Sequence, residues 1–156
     1  MKTKKTRVVV TGIGIISPIG NTSSSFWKNL VEGKSGVGLV TRFDTADFAT
    51  KIAAEVNEFD PKDFMDKRDA RRMDRFTQFA VAAAKMAIDD ANLDMDKEDP
   101  TRVGVYIGSG IGGLGTMEGQ HELFLKRGPR RVSPFFIPMM IANMASGQVS
   151  ILVGAK

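Results

Sequence analysis

What this sequence lacks sets the first limit on its chemistry: it contains no cysteine and a single histidine, His121. One chain therefore cannot form a thiolate nucleophile, a disulfide or a Cys-ligated zinc site, and a histidine cluster is equally out of reach. Ser109 lies between Gly108 and Gly110, but the outer glycines of a Gly-x-Ser-x-Gly elbow are not arranged around it. His121, flanked by Gln120 and Glu122, has the setting of a solvated surface residue with no specified partner. We expect no catalytic residue, no metal site and no cofactor in this chain.

Two features remain that could bind something. Gly108-x-Gly110-x-x-Gly113 matches the glycine spacing that lets a pyrophosphate approach a helix N-terminus. That fingerprint also requires a second strand ending in an acid roughly 20 residues on, and here that distance reaches the basic turn Gly128-Pro-Arg-Arg131. Gly12-x-Gly14 has Ser17 where a third glycine would stand, and no Gly-Lys-Ser/Thr phosphate loop occurs. Nucleotide binding is thus the weaker reading of the loop.

The positive charge is better organised. The net charge of +4 is concentrated in Lys2–Arg7, Lys67–Arg75 and Lys126–Arg131. Lys67, Arg68, Arg71, Arg72 and Arg75 are spaced to lie along one side of a helix start, away from Met73 and Phe76. Asp66, Asp69 and Asp74 could pair with some of them, but exposed pairs contribute only a few tenths of a kcal/mol and leave the field largely in place. Such a surface suits an acidic partner. Single-stranded nucleic acid would require interleaved aromatics, and Phe76 and Phe79 fit a buried helical face instead, so no nucleic-acid partner is expected.

These residues need a scaffold, and the apolar pattern supplies one. Arg7–Ile16 is β-branched and reads as a strand buried on both faces, followed by a helix through Phe26, Trp27, Leu30 and Val31 that stops at Gly33. Lys51–Val56 is a further strand candidate. A long helix opening at Arg68 or Asp69 is predicted from Met73, Phe76, Ala80, Ala83, Ala84, Ala87, Ile88 and Ala91 at intervals of three and four. Its alanines imply close packing. Arg102–Ile107 is a second buried strand, Thr116–Lys126 a helix, Ser133–Pro138 an extended segment, and Met139–Leu152 a last helix capped at Gly154. The alternation of strand and helix predicts α/β layering.

With 42% hydrophobic and 26% charged residues, the chain can bury a core as one domain. Its apolar runs fall short of the roughly 20 residues that span a bilayer. No signal-peptide pattern follows the basic start, so the cytoplasm is the expected compartment and no membrane partner is expected.

Four segments in order and register resemble one family: Val8-Val-Val-Thr-Gly12 with Ser17-Pro-Ile-Gly20, Arg71-Arg-Met-Asp-Arg-Phe76, Ile107-Gly-Ser-Gly-Ile-Gly-Gly113, and Gly128-Pro-Arg-Arg-Val-Ser-Pro-Phe-Phe-Ile-Pro138. The chain is identified as resembling the β-ketoacyl-acyl carrier protein synthases from about Arg7 to Lys156. The resemblance implies a thiolase-like fold, layered αβαβα, of which residues 1–156 would be the N-terminal part, truncated before the nucleophile strand. It implies a homodimer in the complete enzyme, acyl- and malonyl-loaded acyl carrier protein as partner, and decarboxylative Claisen condensation in fatty acid synthesis. The cysteine, two histidines and lysine of that mechanism would lie outside these residues. Within them, the resemblance makes Ile111 the gate at the end of the acyl pocket, where type I relatives carry glycine, and Phe136 the aromatic contributed by the partner subunit. It assigns Arg68, Arg71, Arg72, Arg130 and Arg131 to carrier-protein docking. The alternative is a non-catalytic carrier-binding or dimerising piece in which the lack of cysteine is native.

A preparation of this chain alone is expected to show no condensation of acyl- and malonyl-carrier protein, because it holds no thiol. Turnover above the uncatalysed background, free of contaminating full-length enzyme, would overturn that.

Overall fold

In the computed structural model, which describes residues 6–156, the chain opens with helix α1 (Ser23–Val31) and a short antiparallel pair, β1 (Val37–Leu39) and β2 (Ile52–Ala54). Helices α2 (Lys67–Ala70), α3 (Arg75–Asp90), α4 (Leu114–Arg127), α5 (Phe136–Met140) and α6 (Met144–Val153) follow, with one 3₁₀ turn before α2, two between α3 and α4 and one between α4 and α5. Of the basic start Lys2–Arg7, residues 2–5 lie outside the described residues.

The helix after Ser17-Pro18 forms as expected. Thr22 Oγ1 accepts from the Ser25 amide and Ser25 Oγ accepts from the Thr22 amide, both at 3.2 Å, a reciprocal cap that starts α1. The Lys51–Val56 strand narrows to β2, whose partner β1 had no clear sequence signal; Leu39 sits opposite Ile52 and Val37 opposite Ala54.

The long helix predicted from Arg68 is two helices. The chain turns at Arg71–Asp74 and restarts, because Asp74 adopts the extended N-cap geometry and turns its carboxylate to the Phe76 amide. The freed carbonyls of α2 are satisfied by Gln78 Nε2, which donates to Ala70 O at 2.8 Å and Met73 O at 3.2 Å. The apolar period continues across this turn, which is why periodicity alone joined the two.

The core is the crossing of α3 with α6. Val81, Ala82, Ala145 and Val149 are buried there together with Thr77. The buried positions of α3 fall outside the set that the spacing predicted, whose alanines are half-buried, and each buried valine contributes about 1.5–3 kcal/mol.

Neither Arg7–Ile16 nor Arg102–Ile107 forms a strand ladder, which corrects both expectations. Val8 is 91% and Val10 81% exposed, and Tyr106 is fully exposed. Each segment is instead fastened from one side. Ile13 N–H donates to Asp90 Oδ2 at 2.9 Å at the end of α3, and Ile107 N–H donates to Ser146 Oγ at 3.2 Å on α6. β-branched composition favours a pleated backbone, but a ladder needs a neighbouring strand, and no described segment runs alongside either one.

The end of the chain brings two further corrections. Ser133–Pro138 is not extended throughout, since Phe136–Met140 is helical with Pro138 in its first turn, where a missing N–H leaves no intrahelical bond unmade. The helix expected over Met139–Leu152 is broken at Ile141–Asn143, where Ile141 turns to an extended conformation, and it resumes as α6. Gly154 caps α6 in the left-handed region (φ 69°), as anticipated. No helix of the described residues is long and apolar enough to cross a membrane.

The first segment meets α3 backbone to backbone. A Cβ at Gly14 would stand 1.8 Å from Ala83 O, whereas one at Gly104 would meet nothing within 4 Å. Gly14→Ala should therefore destabilise the protein by about 1–3 kcal/mol or more, with Gly104→Ala changing it by less than about 1 kcal/mol. Urea midpoints for the two variants check this, and equal midpoints would refute the close approach.

Candidate functional site: an apolar loop and a basic rim

The loop Gly108–Gly113 is pressed against the end of α5. Gly112 has φ 86°, and a Cβ there would stand 2.4 Å from Met140 O; one at Gly113 would stand 2.6 Å from Met139 O. Paired glycines are thus required by the approach of two backbones as well as by the turn. Gly113 N–H donates to Met140 O at 2.8 Å, and Gly112 N–H to Ser109 Oγ at 3.0 Å. The loop so held carries Ile111 at its tip, 71% exposed, beside an apolar depression of about 300 Å3 lined by Leu114, Met117, Met140, Ile141 and Ala142. Phe136 is half-buried on the first turn of α5 and does not line this depression.

The same geometry dismisses the nucleotide reading. The amides that would cradle a pyrophosphate already donate within the protein: Gly112 to Ser109, Gly113 to Met140, and Thr116 to Asp74 Oδ2 at 3.1 Å. A carboxylate stands at the N-terminus of α4, where an anion would have to sit.

The basic residues distribute differently from a single helical face. Arg68 lies on α2 and Arg71 on the turn after it, both exposed, as are Arg130 and Arg131 on the 3₁₀ turn after α4. Arg72 is half-buried and lays its guanidinium over the Phe135 ring at 4.6 Å. That contact ties the turn after α2 to the segment following Arg131, and is of a kind that contributes about 0.5–1 kcal/mol where exposed. Ser133 N–H donating to Gln120 Oε1 at 2.7 Å anchors that segment to α4.

Arg75 turns the other way. Its guanidinium lies 4.8 Å from the Phe79 ring and 5.5 Å from Phe59, and donates to Val56 O. Burial lowers its pKa from the ordinary arginine value and the nearby Arg42 cation adds to that. It is a structural cation, separate from the outward-facing arginines.

Among the described residues, none of Arg68, Arg71, Arg72, Arg130 and Arg131 pairs with a carboxylate within 4.0 Å; the ion pairs formed involve lysines elsewhere. Asp74, a possible ion partner by sequence, instead contacts the starts of α3 and α4. Beside Arg72 a groove of about 800 Å3, lined by Phe64, Met73, Lys85, Phe135 and Leu152, runs between α3 and the ends of α5 and α6. His121 is exposed on α4, as its neighbours implied.

Sequence reasoning missed three contributors: Asp74 as a cap, Thr116 as its partner, and Phe135 as the platform for Arg72. An aspartate before the apolar run of α3 is a legible N-cap signal; the other two depend on contacts between distant segments.

This architecture is that of the ketosynthases, whose fold is thiolase-like. The ishigamide ketosynthase/chain length factor superposes with TM-score 0.83 at 32% identity, over 94% of this chain and 37% of that one. A type II polyketide ketosynthase, solved in complex with its acyl-carrier protein, superposes with TM-score 0.77 at 27% identity, over 94% of this chain and 38% of its own. The family described as "Beta-ketoacyl synthase, N-terminal domain" matches residues 5–156, and the chain belongs to it. Its curated relatives include the 3-oxoacyl-[acyl-carrier-protein] synthase 2 of Synechocystis sp., 52% identical over 153 residues covering 98% of this chain and 37% of the relative. That of Staphylococcus aureus strain COL is 51% identical over 150 residues, covering 96% and 36%. The chain therefore spans little more than a third of the length of these relatives.

Proposed function

We propose that these residues form the carrier-docking face and acyl-pocket gate of a 3-oxoacyl-[acyl-carrier-protein] synthase 2, acting in the cytoplasm as a homodimer. The reaction is condensation in fatty acid synthesis. A cysteine thiolate holds the acyl group as a thioester; malonyl-carrier protein loses carbon dioxide; the resulting enolate carbon attacks the acyl carbonyl and expels the thiolate. This chain has no cysteine, so that chemistry belongs to residues outside it. Its own part is recognition. The same absence supports a second reading for the chain by itself, a carrier-binding or dimerising piece without turnover.

The observation that carries the proposal is the uncompensated basic rim. Arg68, Arg71, Arg130 and Arg131 face solvent without carboxylate partners within 4.0 Å among the described residues, and Arg72 is braced on Phe135. A small acidic carrier protein would be steered and oriented by such a field. Ile111, exposed beside its apolar depression, suits a wall that a growing acyl chain meets, and the assignment of Phe136 to the partner subunit's pocket rests on the family resemblance.

Charge reversal of Arg71 and Arg72 to Glu, in a full-length synthase containing this sequence, should raise the Michaelis constant for acyl-carrier protein about tenfold and flatten its salt dependence. A small acyl-pantetheine substrate, which bypasses the rim, should be turned over almost unchanged. Equal loss with both substrates would remove the docking role. Ile111→Phe should cut kcat/KM for medium and long acyl primers at least tenfold and spare the shortest, because the added volume closes space only long chains use. A uniform loss at every chain length would make Ile111 purely structural.

A further inference from the structure

One carboxylate holds two helix starts. Asp74 Oδ1 faces the Phe76 amide in the first turn of α3, while Oδ2 accepts from the Thr116 amide at 3.1 Å and from Thr116 Oγ1 at 2.5 Å in the first turn of α4. The N-cap of α4 is Gly113, which has no side chain to satisfy that turn. Asp74, distant in sequence, does so in its place. A Cβ at Gly113 would come within 2.9 Å of Asp74 Oδ2, so the carboxylate lies directly against the loop that carries Ile111.

We propose that Asp74 is a positioning residue for the acyl gate: through Thr116 it fixes the Gly108–Gly113 loop, and with it Ile111, against the turn that bears Arg71 and Arg72. The inference deepens the synthase reading and rests on it. Two contacts hold the loop where it runs into α4. Gly113 N–H donates to Met140 O, and Thr116 N–H donates to Asp74 Oδ2. Loss of the second loosens the start of α4, and Ile111 yields to a chain that it would otherwise stop. Asp74 follows Arg71 and Arg72 within a single turn, so the docking surface and the pocket wall share one rigid connection.

Serine separates the two roles of the carboxylate. It is as good an N-cap as aspartate for α3, but its hydroxyl ends one bond short of the carboxylate oxygens and leaves Thr116 without an acceptor. In the full-length synthase, Asp74→Ser should leave the protein folded and speed hydrogen exchange at the Thr116 amide about tenfold. It should raise kcat/KM for primers beyond the wild-type chain-length limit, relative to short primers, at least threefold. Thr116→Val should shift the profile in the same direction and Thr116→Ser should restore it. The Asp74→Ser, Thr116→Val double variant should go no further than the larger single effect, as expected of one shared contact. Asp99→Asn is the control, because Asp99 Oδ1 accepts from the Thr101 amide and hydroxyl in an equivalent Asp–Thr contact away from the loop; it should leave the profile unchanged.

Unchanged exchange at Thr116 in Asp74→Ser overturns the proposal, as does an unchanged chain-length profile in an active enzyme or an equal shift from the Asp99 control. If the wild-type protein elongates no primer, the synthase reading fails and the positioning role falls with it. Exchange at Thr116 then still reports whether the latch exists.

Discussion

The alanine-lined surface of α3 is the constraint on which the rest of the structure depends. Small side chains let three other segments approach its backbone. α6 crosses it through Ala145 and Val149, the first segment touches it at Gly14, and the Val103–Ile107 stretch is held nearby by Ser146 of α6. A larger residue on this face would push apart layers that interior packing density requires to be in contact. Both ends of the helix also work as attachment points, Asp74 at its start and Asp90 near its end.

Charge is divided by solvation as much as by sequence position. Five closely spaced cations between Lys67 and Arg75 meet different fates because the chain turns at Arg71–Asp74. Arg68 and Arg71 remain in water, Arg72 leans on one aromatic ring, and Arg75 is drawn between two others. An inward arginine without a carboxylate is tolerated here because ring faces and a backbone carbonyl replace part of its hydration. The outward ones form no ion pair within 4.0 Å among the described residues, and Asp74 caps helices instead of pairing with them.

The glycine-rich loop illustrates how one spacing serves different ends. In a dinucleotide site, loop amides point outward and await an anion. In this chain they are spent on Ser109, Met140 and Asp74, and the outward element is an apolar side chain. Glycine is needed in both settings for close approach. What approaches in this chain is the end of α5.

By itself, the sequence determined the element types wherever a local rule sufficed: α1 from its Thr22 cap, the α3 body from its alanine period, the Gly154 stop, and the exclusion of thiol chemistry from the absence of cysteine. The motifs in register also identified the family. Only the tertiary structure decided the remainder, and the reason is physical in each case. Arg7–Ile16 and Arg102–Ile107 have strand composition, but ladder bonds depend on a neighbour that composition does not specify. The restart at Asp74 is hidden under a continuous apolar period, because a capped turn can preserve the phase of a helix. The joining of Asp74 to Thr116 and of Arg72 to Phe135 spans 42 and 63 residues of chain. No local propensity carries information over such distances; those contacts exist because the packing of the helices brings distant side chains within reach of one another.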